Sequence, residues 1–298
     1  MPTTLPKQAI LIVNAASGNG AESLEPTAAA LREAGVDLLD CIAIENPKRC
    51  QQVVADAIPR APMVIVGGGD GSISSVVDCF VGRDTVFGIL PLGTANSFAR
   101  TLGIPLDLEG AVDVLANGRR KRIDLGQIDG DYFANTAVIG LSPLIAHTVP
   151  DKLKRVLGRG AYLVWALRWA VRFKPFRLVI EMGEATHRFW ATEVRIANGR
   201  HFGGVELVDD AEVDSGELVV QAVTGRSKLS LARSWLAALF RIRDDAGEVK
   251  EFRGREFRIE TRPPRHVAID GEPSTRTPIE VKVALGAIEV AVPVDPEV

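Results

Sequence analysis

Short apolar runs alternate with a helical pattern over the first third of the chain. The β-type runs lie at residues 9–13, 38–43, 63–66 and 86–90, and a helical pattern at residues 22–34 separates the first two. Strands that alternate with helices are typical of a parallel sheet whose strands are joined by helical crossovers. The first part of the chain is therefore predicted to form an α/β domain.

The pattern changes at about residue 124. Residues 126–133 predict two short strands around an Asp-Gly turn, which is a strong hairpin signal. Further β-type runs follow at residues 177–181, 187–196, 216–223, 252–260, 267–269, 279–284 and 288–292. The predicted fold is thus α/β plus β, with a Rossmann-like parallel sheet over residues 1–124 and a β-sandwich with two helical inserts over residues 125–286.

A glycine-rich turn with one carboxylate follows the third β-type run. It occupies residues 67–72, Gly-Gly-Gly-Asp-Gly-Ser, and a helical pattern follows over residues 73–81. Strand, glycine turn and helix together direct backbone N–H groups at a phosphate, and the missing Cβ atoms allow it to come close. The turn is neither a Walker A loop nor a G-x-G-x-x-G motif. A tight turn after a buried strand is the alternative interpretation.

Two other predicted strands also end in small polar residues. The run at residues 87–92 leads into Gly93, Thr94 and Asn96, of which Thr94 or Asn96 would be the N-cap of the next helix, and the first run leads into Asn14 and Ser17. Parallel strands bring such ends to one edge of the sheet, where these folds bind nucleotides. The three strand ends together predict a nucleotide crevice.

These motifs resemble those of the diacylglycerol kinase catalytic-domain family. Residues 68–72 resemble the GGDGT signature that this family shares with sphingosine kinases and NAD kinases. Residues 91–99 resemble the PLGTxNDFA block, which NAD kinases lack in this form. Further blocks of the family follow in order at residues 124–126, 133–135, 157–158 with Tyr162, 197–199 and 270–272. The resemblance covers nearly the whole chain and implies a bacterial soluble lipid kinase.

The resemblance also implies cofactors and nucleotide contacts. ATP would be the phosphoryl donor, Mg²⁺ its metal, and Asp70 the carboxylate that approaches the metal, unless Asp70 is only a turn or N-cap residue. The last strand, about residues 287–298, would return to the NAD-kinase-like first domain. The residues expected to line the nucleotide are Asn14, Ser17, Gly67, Gly68, Gly69, Asp70, Gly71, Ser72, Gly93, Thr94 and Asn96.

The proton acceptor is expected among Asp270 and Glu272, which flank Gly271 after an apolar run. Both carboxylates can face one cleft if the glycine turns the chain. By resemblance, one would deprotonate a lipid hydroxyl while the other holds Mg²⁺ or orients its partner, and the sequence leaves open which is which. A solvated Asp-Gly turn is the alternative.

The chain departs from the family pattern at two places. Ser97 stands where the family has an aspartate, so one carboxylate is lost. In the turn at residues 211–219, which in the family binds a structural Mg²⁺, Ser215 stands where a liganding aspartate is expected and Val219 replaces a later acid. The candidate metal ligands here are Glu212, Asp214, Ser215 and Glu217, since hard cations accept any nearby oxygen.

A basic and aromatic segment at residues 151–177 suggests a membrane surface. It contains eight Lys or Arg side chains, five aromatic ones and a single acid, Asp151. A basic amphipathic helix of this kind suits an anionic bilayer. The alternative is a helix packed on the sandwich with Trp165 and Trp169 in the core, and residues 226–243 carry the same ambiguity. The expected partner is a lipid substrate, reached by peripheral contact.

Composition narrows the class of protein. A net charge of −3 argues against a nucleic-acid binder, and no apolar run approaches the ~20 residues that span a bilayer. The N-terminus lacks the apolar core of a signal peptide, and three cysteines without metal-ligand spacing fit a reducing compartment. We expect a cytoplasmic protein, peripheral at the inner membrane face, whose exposed strand edges are compatible with a homodimer.

Three functions remain open at this point. The first is an ATP-dependent kinase of diacylglycerol or a similar hydroxyl lipid. The second is an NAD kinase, which the block at residues 91–99 and the basic aromatic segment disfavour. The third is a non-catalytic nucleotide- or lipid-binding relative, against which Asp70, Asp270 and Glu272 argue.

Overall fold

The computed structural model describes residues 4–15, 20–140, 174–202, 205–206, 208, 211–225 and 249–294. The expected nucleotide ligand Ser17 lies outside the described residues. So do residues 151–173 of the basic aromatic segment, the whole of residues 226–243 and residues 295–298 of the expected last strand. Among the described residues, no helix combines the length and the apolar character needed to cross a bilayer.

The N-terminal part is a parallel sheet with its strands in the order β4-β3-β1-β2. The strands are β1 (Gln8–Asn14), β2 (Asp37–Ile44), β3 (Met63–Gly68) and β4 (Val86–Pro91). Every residue of β3 and β4 is buried, because parallel strands are covered on both faces and therefore form continuous apolar runs. The predicted parallel sheet is confirmed.

Five α-helices lie among these strands in the described chain. They are α1 (Gly20–Glu33), α2 (Cys50–Ala57), α3 (Asp70–Ser74), α4 (Ser97–Thr101) and α5 (Leu108–Asn117). Three 3₁₀ segments accompany them, Pro47–Arg49, Ile58–Arg60 and Val77–Phe80. The helix expected at residues 73–81 instead begins at Asp70 and ends after one turn, and a 3₁₀ segment continues the connection to β4.

The C-terminal part is built from antiparallel strands and has a separate apolar core. Its strands are β5 (Arg119–Ile128), β6 (Asp131–Phe133), β7 (Thr136–Gly140), β8 (Phe176–Met182), β9 (Ala185–Ala197), β10 (His201–Phe202), β11 (Val205–Glu206), β12 (Leu218–Thr224), β13 (Val249–Gly254), β14 (Glu256–Arg262), β15 (His266–Ile269), β16 (Glu272–Arg276) and β17 (Ile279–Val292). The predicted hairpin forms between β5 and β6, with positive φ at Asp129 and Gly130. The α/β plus β fold is thus confirmed.

Two strand boundaries differ from the sequence prediction. The run at residues 252–260 is divided at Arg255, since β13 pairs with β12 whereas β14 pairs with β8 and β17. The runs at 279–284 and 288–292 join into the single strand β17, which continues its pairing with β5 after a register shift between Ala284 and Ile288. β7 and β16 carry no alternation strong enough to have been predicted.

The strand β17 connects the two parts of the molecule. Along its length it pairs antiparallel with β5, and near its end Glu289 and Val290 pair in parallel with β4. Ile279 and Val281 of β17 belong to the sandwich core, whereas Ile288 belongs to the core of the parallel sheet. The two parts therefore share one continuous sheet.

A buried carboxylate reinforces the pairing of β5 with β17. The side chain of Glu289 is 3% exposed, and its two oxygens accept hydrogen bonds from the guanidinium groups of Arg120 and Arg122 on β5. Arg122 also faces Asp84, whose side chain is 94% exposed, at 3.5 Å. The same arginine thus has one buried and one solvated acidic partner.

We expect Glu289→Gln to lower the free energy of unfolding by about 1.5–3 kcal/mol, because it removes buried, charge-assisted hydrogen bonds without changing side-chain volume. The control Asp84→Asn should lower it by less than about 0.5 kcal/mol, because exposed ion pairs contribute little. Urea unfolding of both variants checks the difference. Equal losses in the two variants would contradict a special role for the buried acid.

Candidate functional site

The ends of β1, β3 and β4 meet at one edge of the parallel sheet, as the sequence predicts. Asn14, at the end of β1, donates from its Nδ2 to Ser72 Oγ in α3 at 2.8 Å. Leu92, just after β4, donates from its backbone N–H to the carbonyl oxygen of Gly68 at 3.0 Å. Residues from three separate segments therefore form one polar edge.

The two glycine turns touch through their backbones. A Cβ atom on Gly93 would lie 2.5 Å from the Cα of Gly69, so only glycine fits there. The turn at Gly93 is closed by Asn96, whose Oδ1 accepts from the N–H of Gly93 and whose Nδ2 donates to its carbonyl oxygen, both at 2.9 Å. Asn96 has a left-handed backbone with φ of 47°, and Thr94 is exposed.

Asp70 joins α3 to the start of α4. Its Oδ1 accepts hydrogen bonds from the backbone N–H groups of Ser97 at 2.6 Å and Phe98 at 3.4 Å. These are the first amides of α4, whose N-cap is Asn96, one of the two predicted alternatives. The Asn96 side chain makes no capping hydrogen bond, so Asp70 supplies it instead. Burial raises the pKa of Asp70, and hydrogen bonds from these amides and from the Ser97 side chain oppose that rise. The serine that replaces the family's aspartate thus supplies a donor to Asp70.

Asp270 is held at the tight connection between β15 and β16. Its backbone has a φ of 46°, and Gly271 has a φ of 92°. Its Oδ1 accepts from the N–H groups of Asn135 at 3.1 Å and Thr136 at 2.9 Å, and its Oδ2 accepts from Ala134 at 2.9 Å. Burial raises the pKa of Asp270 to about 6 against the lowering effect of these amides, and the charge of Asp70 adds to the rise.

Asp70 and Asp270 share the wall of a cavity of about 220 Å³. The two carboxylates come from opposite parts of the molecule, the parallel sheet and the sandwich. The described part of the chain contributes no lysine or arginine to this lining. The lining residues are Asp70, Ile73, Ser74, Ser97, Phe98, Ala134, Asn135, His201, Asp270 and Gly271.

Glu272 occupies a different position from Asp270. It is the first residue of β16, its side chain is exposed, and it does not line the cavity. Its Oε1 lies 3.5 Å from the point that a Cβ on Gly71 would occupy, so it faces the first turn of α3. The structure therefore separates the two carboxylates that the sequence left equivalent.

Several residues near the two carboxylates were not identified as site residues from the sequence. The blocks at residues 124–126, 133–135 and 197–199 contributed to the resemblance without an assigned role. Asn198 Nδ2 donates to the carbonyl oxygens of Asp124 and Ala134, both at 2.9 Å, so these blocks form the support of the amides that hold Asp270. His201, in the cavity lining, is an isolated histidine that no spacing pattern singles out.

The predicted metal turn is held by other contacts in the described residues. Asp214 pairs with Lys121 at 2.7 Å, and Glu212 with Arg200 at 3.3 Å. The Ser215 hydroxyl bonds the carbonyl oxygens of Glu212 and Glu217, at 2.9 and 3.1 Å. No group of three His, Cys, Asp or Glu side chains that could hold a metal occurs in the part of the chain that the structure describes.

Both parts of the chain match models of known protein families. The family model of the diacylglycerol kinase catalytic domain matches residues 8–128, and that of the YegS C-terminal NAD kinase β-sandwich-like domain matches residues 136–292. A relative from Pseudomonas aeruginosa, named "Probable lipid kinase YegS-like", is 32% identical over 96% of this chain and 95% of its own. One of the same name from Enterobacter sp. is 34% identical over 73% of this chain and 74% of its own.

Solved structures show the same fold. The crystal structure of a diacylglycerol kinase from Bacillus anthracis superposes with a TM-score of 0.76 at 21% identity, covering 96% of this chain and 97% of that chain. A second crystal structure from the same organism superposes with a TM-score of 0.82 at 23% identity, covering 97% of this chain and 96% of that chain. At these identities the likeness concerns the fold alone.

The contact between the glycine turns predicts that Gly93→Ala is destabilising by about 1–3 kcal/mol, because the new Cβ overlaps the backbone of Gly69. Gly71→Ala is the matched control, since a Cβ there meets only Glu272 Oε1 at 3.5 Å in a helical turn. It should leave the melting temperature unchanged or raise it, because alanine favours the helix by about 1 kcal/mol over glycine. A melting temperature lowered equally by both substitutions would contradict the contact.

Proposed function

The chain belongs to the diacylglycerol kinase catalytic-domain family, and from this premise we propose that it is an ATP-dependent lipid kinase. The γ-phosphoryl group would pass to a hydroxyl of diacylglycerol or of a related lipid. The observation that carries the proposal is the pair of carboxylates, Asp70 and Asp270, on the wall of one small cavity beside the two glycine turns. The names of the relatives from Pseudomonas and Enterobacter support the same class of reaction.

The glycine turns are the proposed phosphate site. The N–H groups of Asp70 and Gly71 lie in the first turn of α3, where the geometry of a helix leaves amides without an intrahelical partner. Backbone dipoles would therefore bind phosphate oxygens beside a cavity to whose lining the described residues contribute no lysine or arginine.

The residues present fit a nucleotide-bound magnesium ion. Mg²⁺ in kinases is usually held by one or two carboxylates together with substrate phosphates, and Asp70 and Asp270 offer two carboxylates at one cavity. Asp70 is the proposed contact, because it lies in the glycine turn itself. When bound, the ion would neutralise charge on the transferring phosphoryl group.

Asp270 is the proposed general base. An ionised carboxylate offers about four lone-pair sites, and the three amides occupy two sites on Oδ1 and one on Oδ2. Oδ2 therefore retains the capacity to accept the proton of an attacking hydroxyl. With a pKa of about 6, Asp270 is ionised at neutral pH and more basic than an ordinary aspartate, which suits proton transfer. Glu272, exposed and outside the cavity lining, is the weaker candidate.

The size of the cavity limits what part of the acceptor enters it. A volume of about 220 Å³ fits a small hydroxyl-bearing group, bounded on its apolar side by Ile73, Phe98 and Ala134. The acyl chains would remain outside, so the reaction belongs at a membrane surface. We propose that the basic aromatic segment, residues 151–177, supplies that peripheral contact at the cytoplasmic face.

A γ-labelled phosphoryl-transfer assay tests the function. Protein and labelled Mg-ATP are mixed with micelles of each candidate lipid in turn, and with NAD as a separate acceptor. We expect label in a lipid, and we expect Asp270→Asn to lower kcat by about 10²- to 10⁴-fold while nucleotide binding persists, because only the base is removed. Label in NADP alone would exclude a lipid kinase and indicate an NAD kinase.

Glu272→Gln is the matched control for this experiment. It also removes one carboxylate of the triplet, but from an exposed position outside the cavity. We expect its kcat to fall less than about tenfold. If Asp270→Asn retains the wild-type rate while Glu272→Gln does not, the two roles are reversed.

The raised pKa of Asp270 predicts the acid side of the pH–rate profile. The base acts in its ionised form, so kcat/KM should fall about tenfold per pH unit below about pH 6, two units above the value for an ordinary aspartate. The profile is measured with saturating Mg-ATP and with lipid well below its KM, and it is corrected for the folded fraction at each pH. A rate that stays constant down to pH values near 4 would exclude Asp270 as the base.

A further inference from the structure

We propose that Thr101 is a positioning residue for phosphoryl transfer, because its hydroxyl joins the segment that holds Asp70 to the segment that holds Asp270. The inference rests on the proposed function and deepens it. Thr101 lies at the end of α4, and neither a sequence motif nor the chemistry of its side chain identifies it as part of the reaction. Hydrogen bonds connect one carboxylate to the other through α4 and Asn135.

The first half of the connection is α4 itself. Its first residue, Ser97, donates its backbone N–H to Asp70 Oδ1 at 2.6 Å. Its last residue is Thr101, about 6 Å further along the helix axis. A single helical turn has little freedom to bend, so a displacement of Thr101 is transmitted to the amides that hold Asp70.

The second half passes through Asn135. The hydroxyl of Thr101 donates to Asn135 Oδ1 at 3.0 Å, and the backbone N–H of Asn135 donates to Asp270 Oδ1 at 3.1 Å. The carbonyl oxygen of Asn135 accepts from the N–H groups of Asn198 and Gly199, which fixes its backbone. Asn135 is buried, so its side chain has few other conformations. One residue therefore contacts both Thr101 and the proposed base.

The Thr101 hydroxyl also orients His201 in the cavity lining. A hydroxyl has one proton, and here that proton is directed at the carbonyl-type oxygen of Asn135. The backbone N–H of His201 donates to Thr101 Oγ1 at 3.4 Å, and Nδ1 of the same histidine lies 3.4 Å from this oxygen. Thr101 thus connects three residues of the cavity region in one network.

The backbone packs closely around the Thr101–Asn135 hydrogen bond. A Cβ on Gly199 would lie 2.7 Å from both Asn135 Oδ1 and Thr101 Cγ2, so the main chain at Gly199 lies directly against the hydrogen bond. The bond is therefore enclosed by close contacts, and its geometry is defined. Such a support is needed because misplacing a reacting group by about 1 Å can reduce the rate about 100-fold.

The test compares Thr101→Val, which keeps the shape and removes the hydroxyl, with Thr101→Ser, which keeps the hydroxyl. We expect Val to lower kcat by about 10- to 100-fold with the nucleotide KM changed less than about twofold, and Ser to restore kcat to within about threefold of wild type. Thr186→Val, at an exposed position on β9, is the matched control and should leave kcat unchanged. Rates are divided by the fraction of protein that binds nucleotide.

Asn135→Ala and the double variant complete a mutant cycle. If the Thr101–Asn135 bond carries the effect, the double variant should be about as slow as the slower single variant, because the second substitution has no bond left to remove. Multiplying losses would overturn the inference. So would a Thr101→Val rate equal to wild type after correction for binding-competent protein, or equal impairment of Thr101→Ser and Thr101→Val.

A titration of the Asp270 carboxyl by NMR gives a readout that needs no turnover. Loss of the Thr101 hydroxyl frees Asn135 and weakens its N–H bond to ionised Asp270, so the titration midpoint should rise above its wild-type value. Asp70 and His201, the other titratable side chains that the described residues contribute to the cavity lining, are followed in the same spectra. An unchanged titration midpoint in Thr101→Val contradicts the inference, whether or not the wild-type protein is active. Failure of the wild-type protein to phosphorylate any lipid counts against the proposed function alone.

Discussion

The arrangement of the site depends on one interaction, the hold of three consecutive backbone amides on the carboxylate of Asp270. Hydrogen bonds from these amides lower the pKa of Asp270, but burial raises that pKa by more. The carboxylate is therefore more basic than that of an ordinary aspartate. The strained turn at Asp270 and Gly271 is tolerated because these bonds fix it. The support extends further, since Asn198 fastens the chain at Ala134 to the chain at Asp124. The proposed base, which belongs to the sandwich, is thereby connected to strand β5, and β5 also contributes side chains to the core of the parallel sheet.

The shared strands explain why the cavity can lie between two cores. β5 and β17 each contribute side chains to both apolar clusters, so the parallel sheet and the sandwich cannot move as unconnected bodies without breaking the pairing between them. Glu289 strengthens this pairing from within. The distance between Asp70 and Asp270 consequently depends on the sheet as a whole. Locally, it also depends on the positions of α4 and Asn135.

Much of the fold, and part of the site, could be predicted from the sequence. Apolar periodicity predicted the parallel strands and the sandwich, and the motif order predicted the family, all of which are confirmed. The amides at residues 134–136 could not be predicted, because a backbone donor has no side-chain signature. Ser97 appeared to be a lost carboxylate, whereas it supplies a hydrogen bond to Asp70. The partners of Asp214 and Glu212 are distant in sequence, and only the folded chain brings Lys121 and Arg200 to them.

The course of β17 has a consequence for how the protein is made. Strand β4 has β3 on one side, but its neighbour on the other side is β17, which is translated only after the entire sandwich. While the ribosome is still synthesising the sandwich, the parallel sheet therefore has an open, apolar edge at β4, of the kind that pairs with foreign strands. Folding of the first half can be completed only when the chain returns to it, so the nascent protein has to keep that edge protected until the last strand arrives.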